Sequence, residues 1–142
     1  MDYFQGLDYS TGYDFMVVDD LMTEIGDNKQ FAELFTIDSR KNNFSLFFIT
    51  HNLFYQGKYM RTISLNSKYI IIMKNARGKS QLSVLCRDIF PGKHKYLIDS
   101  YLEATSKHFG NLRIDCTSEK PDEFRLSSEL ENNKNAPVFY LP

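Results

Sequence analysis

The apolar positions of this chain fall into short blocks with two different periods. Phe15 to Val18 (FMVV), Phe44 to Thr50 (FSLFFIT) and Lys68 to Lys74 (KYIIIMK) are nearly unbroken apolar runs rich in β-branched and aromatic residues. That is the pattern of strands covered on both faces. Blocks with helical spacing lie between them. Leu21, Met22 and Ile25 share one side of a short helix that Gly26 breaks. Asp27, with Gln30 three positions on, makes a capping-box-like start for a helix carrying Phe31, Leu34 and Phe35. Leu82, Leu85, Cys86 and Ile89 recur at offsets of three, four and seven, an amphipathic helix that Pro91-Gly92 ends. Leu97, Ile98, Tyr101, Leu102 and Thr105 form another such stripe. NLRID after Gly110 predicts a fourth strand, and the closing APVFYLP predicts a short, proline-flanked edge strand. SRKNN (39–43), the stretch HNLFYQGKYMRTISLNS (51–67) and SEKPDEFRLSSELENNKN (118–135) read as loops, and the first thirteen residues give no firm element.

Strands alternating with helices predict a single α/β domain over residues 1–142 with a mainly parallel sheet, its core in 13–116 and a loop and closing strand in 117–142. Right-handed crossovers would set the loops after each strand along one edge, where such folds bind ligands. The polar residues ending the first two strands therefore carry the interest. Asp19 and Asp20 end one; Thr50, His51 and Asn52 end the other.

Composition narrows the classes. A formal charge of -1 gives no support to a wholesale basic surface, so any contact with nucleic acid would have to be local. Cys86 and Cys116 lack metal-type spacing and read as reduced thiols of an intracellular protein. The acidic, polar N-terminus is no signal peptide, and the YIIIM run is far too short to span a bilayer, so a soluble chain with no membrane partner is expected.

Four apolar residues followed by two acids match the Walker B pattern. Asp19 would hold Mg²⁺ directly or through water, and Asp20 would orient or deprotonate a water beside the γ-phosphate of ATP. The competing role for such a pair is to cap a helix N-terminus. Thr50 and Asn52 suit the polar sensor that ends the strand beside Walker B. His51 could serve as a general base, against the commoner role of a solvated or hydrogen-bonded histidine, while His94 and His108 suggest neither metal nor catalysis. Gly78-Lys79-Ser80 looks like the tail of a phosphate loop, but the required glycine five positions earlier is Met73. Lys74, Arg77 and Lys79 read instead as a basic loop that meets phosphate of some kind.

VVDDLM, the ordered set N-L-F, R-T-I-S-L-N, K-N-x-R and Q-x-x-x-L-x-R at 52–54, 61–66, 74–77 and 81–87, and the closing VFYLP together resemble the C-terminal half of genome-packaging ATPases of Maverick/Polinton elements and adintovirus-like viruses. These are relatives of the poxvirus packaging ATPases in the FtsK/HerA class. The resemblance runs from about Phe4 onward. It implies a P-loop NTPase-like (RecA/FtsK-type) fold and a homo-oligomeric, ATP-driven ring that pushes double-stranded DNA into a capsid through capsid or portal proteins. Its setting would be the host nucleus or cytoplasm, or the virion. Asp19 and Asp20 match the family's Walker B acids, and Thr50–Asn52 match its sensor region, with His51 where glutamine is common. Arg61 and Arg77 match recurrent arginines, and one of them would serve as an arginine finger. Arg40 and Lys41 stand where the family has a histidine-containing stretch and would touch DNA phosphates.

The chain departs from that family at the front. No G-x-x-x-x-G-K-[ST] occurs, and the fourteen residues before Phe15 are too few for the strand, loop and helix that carry it, a unit of about thirty residues. In this class the missing strand lies between the Thr50-ended strand and the Tyr69–Met73 strand, whose edges would otherwise face a gap. The chain is therefore expected to be a portion of the motor, inactive alone. Two other functions fit the same residues: a two-metal nuclease joining Asp19 and Asp20 with Asp115 or Glu119, and a non-catalytic assembly module.

Overall fold

The computed structural model describes residues 12, 14–52, 56–77, 79–128 and 137–142, with 22 and 79 described by backbone alone. The chain divides into two compact units, Met1–Asn66 and Ser67–Pro142, at a boundary that the sequence pattern did not mark.

The first unit is built on two parallel strands, β1 (Phe15–Asp19) and β2 (Ser45–Ile49), paired from Phe15↔Ser45 to Asp19↔Ile49. The connection holds a one-turn helix α1 (Met22–Ile25) and then one continuous helical path: α2 (Lys29–Glu33), a π-helical turn (Leu34–Asp38) and α3 (Ser39–Lys41). SRKNN thus begins as helix rather than loop. Thr36 and Ser39 hydroxyls donate to the Ala32 and Phe35 carbonyls and satisfy acceptors along the widened turn. Asn28, rather than the expected Asp27, caps α2 by accepting from the Phe31 amide at 3.0 Å. Within the stretch read as irregular, Met60–Asn66 forms helix α4, with Met60 and Ile63 buried. Val18, Ile25, Phe31, Ala32, Leu34, Phe44, Met60 and Ile63 make the core, and Met16, Leu46 and Phe48 pack against it.

The alternate positions of both strands do not reach that core. Phe15 and Val17 are 63% and 51% exposed, and Phe47 and Ile49 are 49% and 48% exposed. The expectation of strands covered on both faces fails here. An apolar run shows that both faces are oily, and only one of them meets a helix layer.

The second unit carries an antiparallel sheet in the order β3 (Tyr69–Met73), β4 (Asn111–Asp115), β5 (Leu126–Ser128), β6 (Val138–Tyr140). The predicted single, mainly parallel sheet is therefore corrected: the molecule is mixed α/β with a small parallel sheet and a separate antiparallel one. The cause lies in the connections. Between β1 and β2 one main helical path brings the chain back to start the next strand in the same direction. Between β3 and β4 stand two helices of 11 residues each, α5 (Lys79–Ile89) and α6 (His94–Ala104). The second helix cancels the return of the first, so β4 enters reversed. Leu97, Tyr101 and Ala104 of α6 are buried together with Leu112, Ile114 and Leu126 of the sheet. β5, read as loop, is anchored by Arg125, whose Nη1 donates to the Asp115 and Thr117 carbonyls at 2.9 and 2.7 Å. β6 is the expected edge strand; its Tyr140 carbonyl accepts from Tyr96 Oη at 2.6 Å.

Candidate functional site

Parallel, in-register pairing sends β1 and β2 out at the same end of their sheet. Asp19 stands opposite Ile49, so the next residues, Asp20 and Thr50, leave side by side at the carboxyl rim. Alternation places Asp19 with Phe15 and Val17 on the exposed face of β1. Asp20 adopts φ 55, the left-handed region that aspartate tolerates better than most residues, and turns the chain sharply off the strand. Both acids are exposed, and neither carboxylate makes a hydrogen bond or ion pair with a described residue. They do not cap the following helix either: α1 begins at Met22, which leaves Leu21 in the capping position.

The facing rim is ordered by a local turn. Thr50 Oγ1 accepts from the Asn52 amide at 3.1 Å and donates to the Asn52 carbonyl at 3.1 Å. This closes Thr50, His51 and Asn52 into a compact polar corner. Thr50 and Asn52 are half-buried and His51 is exposed. Leu53 and Phe54, the rest of N-L-F, lie outside the described residues, as does Gly78 of ARGKS.

Two exposed carboxylates beside a hydroxyl and an amide form an oxygen-rich rim of the kind a hard cation prefers. Asp19 would supply one ligand to Mg²⁺, with water and phosphate oxygens completing the shell. No group of three or more His, Cys, Asp or Glu side chains able to hold a metal occurs among the described residues. Of the residues that a two-metal nuclease would join, Asp19 and Asp20 belong to the first unit and Asp115 and Glu119 to the second. Asp115 is buried and its Oδ1 accepts from the Thr117 amide and hydroxyl at 3.0 and 2.6 Å, while Glu119 is exposed.

The two candidate arginines belong to different units. Arg61 is exposed on α4 in the first, as are Arg40 and Lys41 on α3. Arg77 is exposed on the loop after β3 in the second, its amide held by Asn75 Oδ1 at 2.9 Å. The cysteines are free thiols. Burial pushes the Cys86 thiol above its ordinary pKa, and Cys116 likewise, with Asp115 adding to the rise and Arg125 opposing it. Neither is a candidate nucleophile. Among the described residues no helix is long and apolar enough to cross a membrane. No protein-family model matches the chain, and no curated protein or solved structure matches it.

Proposed function

We propose that this chain is the Walker B and sensor portion of an ATP-driven motor that packages double-stranded DNA, completed by a phosphate loop from outside these 142 residues. The observation that supports the proposal is the parallel, in-register pairing of β1 and β2, which ends at Asp19↔Ile49, so that Asp20 and Thr50 follow at the same end of the sheet. Asp19 would bind Mg²⁺ on the triphosphate, Asp20 would orient the attacking water, and the Thr50–Asn52 corner would contact the γ-phosphate. Arg61 or Arg77 would reach a neighbouring copy's nucleotide in a ring.

The open edge of β2 supports the same reading. Among the described residues β2 pairs only with β1. A phosphate-loop strand could take that edge, and the bare face of Phe15, Val17, Phe47 and Ile49 gives an incoming element apolar surface to cover.

Equilibrium binding of a fluorescent ATP analogue with Mg²⁺ tests the proposal in two arms. The chain alone is expected to show no micromolar affinity. Coexpression with a segment carrying strand–GxxxxGK[ST]–helix is expected to restore binding and hydrolysis, both lost on Asp19→Ala. Micromolar binding by the chain alone, or a restored hydrolysis indifferent to Asp19, would overturn it.

A further inference from the structure

Among the described residues β3 pairs only with β4, so its other edge is open. The ladder shows which of its main-chain groups are left over. The Cys116 amide donates to the Lys68 carbonyl at 2.8 Å, and these residues stand opposite each other, one step beyond the Tyr69↔Asp115 pair. Antiparallel strands alternate between bonded and unbonded pairs, so Ile70 and Ile72 bond to β4 as Lys68 does. The N–H and C=O groups of Tyr69, Ile71 and Met73 therefore point away from the sheet. The Asp115 amide donates to the Arg125 carbonyl on the β5 side, as that alternation requires.

The same residues carry bare side chains. Tyr69, Ile71 and Met73 are 53%, 46% and 57% exposed. Arg113 holds the Tyr69 ring, with its guanidinium carbon 5.8 Å from the ring centroid. The opposite edge of the sheet, β6, is three residues long and lies between Pro137 and Pro142, which blunt it. β3 runs for five residues without a proline.

Charge says what the open edge accepts. Lys68 and Lys74 bracket the strand, both exposed, and neither forms an ion pair with a described residue. From residue 39 to residue 87 the sequence holds nine lysines and arginines and no aspartate or glutamate, so the segment brings no acid to either end. Register puts Asp115 opposite Tyr69, but Asp115 is buried and its Oδ1 accepts from the Thr117 amide and hydroxyl. A second copy of the chain is a poor occupant. Antiparallel pairing of β3 with itself about Ile71 sets Lys68 opposite Lys74 at both ends, and like charges directly opposite are destabilising. The lysines thus guard the edge against self-association and leave it open to the opposite charge.

We infer that the edge of β3 takes an extended peptide of a partner protein as a further strand, with apolar residues beside Tyr69, Ile71 and Met73 and a carboxylate at each end for Lys68 and Lys74. Main-chain hydrogen bonds would supply affinity, and the two lysines would select the partner. The inference rests on the second unit alone and is independent of the nucleotide chemistry proposed for the first.

Amide hydrogen exchange, read by NMR on the full chain, tests this with a probe peptide of alternating valine and threonine closed by glutamate at both ends. In the free chain the amides of Tyr69, Ile71 and Met73 should exchange fast while those of Ile70 and Ile72 are protected, and at saturation all should be protected. By fluorescence anisotropy, a lysine-closed version of the peptide should bind at least about fivefold more weakly. Lys68→Glu with Lys74→Glu should reverse that preference, which a merely structural role for the lysines would not do. Failure of the glutamate-closed peptide to bind, protection that omits Tyr69, Ile71 and Met73, or a preference that survives the charge reversal would overturn the inference. So would a dimer of the free chain that already protects those amides.

Discussion

Gly57 approaches Gly26 so closely that a β-carbon on it would lie 2.5 Å from the Gly26 Cα and carbonyl oxygen. The contact is sealed by the Tyr59 amide donating to the Gly26 carbonyl at 3.0 Å and the Lys58 amide donating to Asp27 Oδ1 at 2.8 Å. It fastens the segment entering α4 to the turn between α1 and α2. Gly57→Ala should therefore destabilise the first unit by about 1–3 kcal/mol, as overpacking against rigid backbone does. Urea denaturation checks this; an unchanged midpoint would mean that the two turns separate freely.

That contact also explains a misplaced cap. Asp27 and Gln30 look like a capping pair in sequence, yet Asp27 serves the Lys58 amide and Asn28 does the capping. Asn28→Ala should cost about 1 kcal/mol and Asn28→Asp much less, because aspartate keeps the acceptor. Denaturation midpoints of the two variants decide it, and equal losses would contradict the assignment.

The positions of local elements were legible in sequence wherever one period dominated, as in α5, α6, β1, β2 and β4. Pairing was not. The reversal of β4 depends on a count of helices in its connection, and β5 is a three-residue strand whose Ser127 and Ser128 resemble loop until Arg113 Nε donates to Ser127 Oγ. The shared end of β1 and β2, after which Asp20 and Thr50 follow, was legible because parallel pairing brings strand ends together. The allocation of Arg61 and Arg77 to separate units was not, since no composition shift marks Asn66–Ser67.

The bare face of the β1–β2 sheet yields a test of its own. Phe47→Lys with Ile49→Lys should cost no more than about 1.5 kcal/mol, mainly the edge-to-face contact of Phe15 and Phe47 at 6.5 Å. The same change at Phe48, which packs on the core with its ring 5.6 Å from Phe31, should unfold the unit. Sedimentation velocity should show less self-association in the double variant. Equal destabilisation at both faces would show that the outer one is covered.

Both thiols have pKa values raised in the fold, chiefly by burial. Folding then favours the protonated thiols. Their contribution is fully present below the ordinary thiol pKa and is lost as pH rises through the raised values. Stability should fall in the alkaline range, and both cysteines should resist alkylation at neutral pH until urea exposes them. Rapid native labelling of Cys86 would contradict this.

The most direct test of the motor assignment is paramagnetic NMR on the isotope-labelled chain with millimolar ATP and trace Mn²⁺ in place of Mg²⁺. Even with weak affinity, the amides of Asp19, Asp20, Thr50 and Asn52 should broaden first, and the effect should vanish in the Asp19→Asn, Asp20→Asn variant. Broadening centred elsewhere, or unchanged in that variant, would contradict a metal–triphosphate role for the rim.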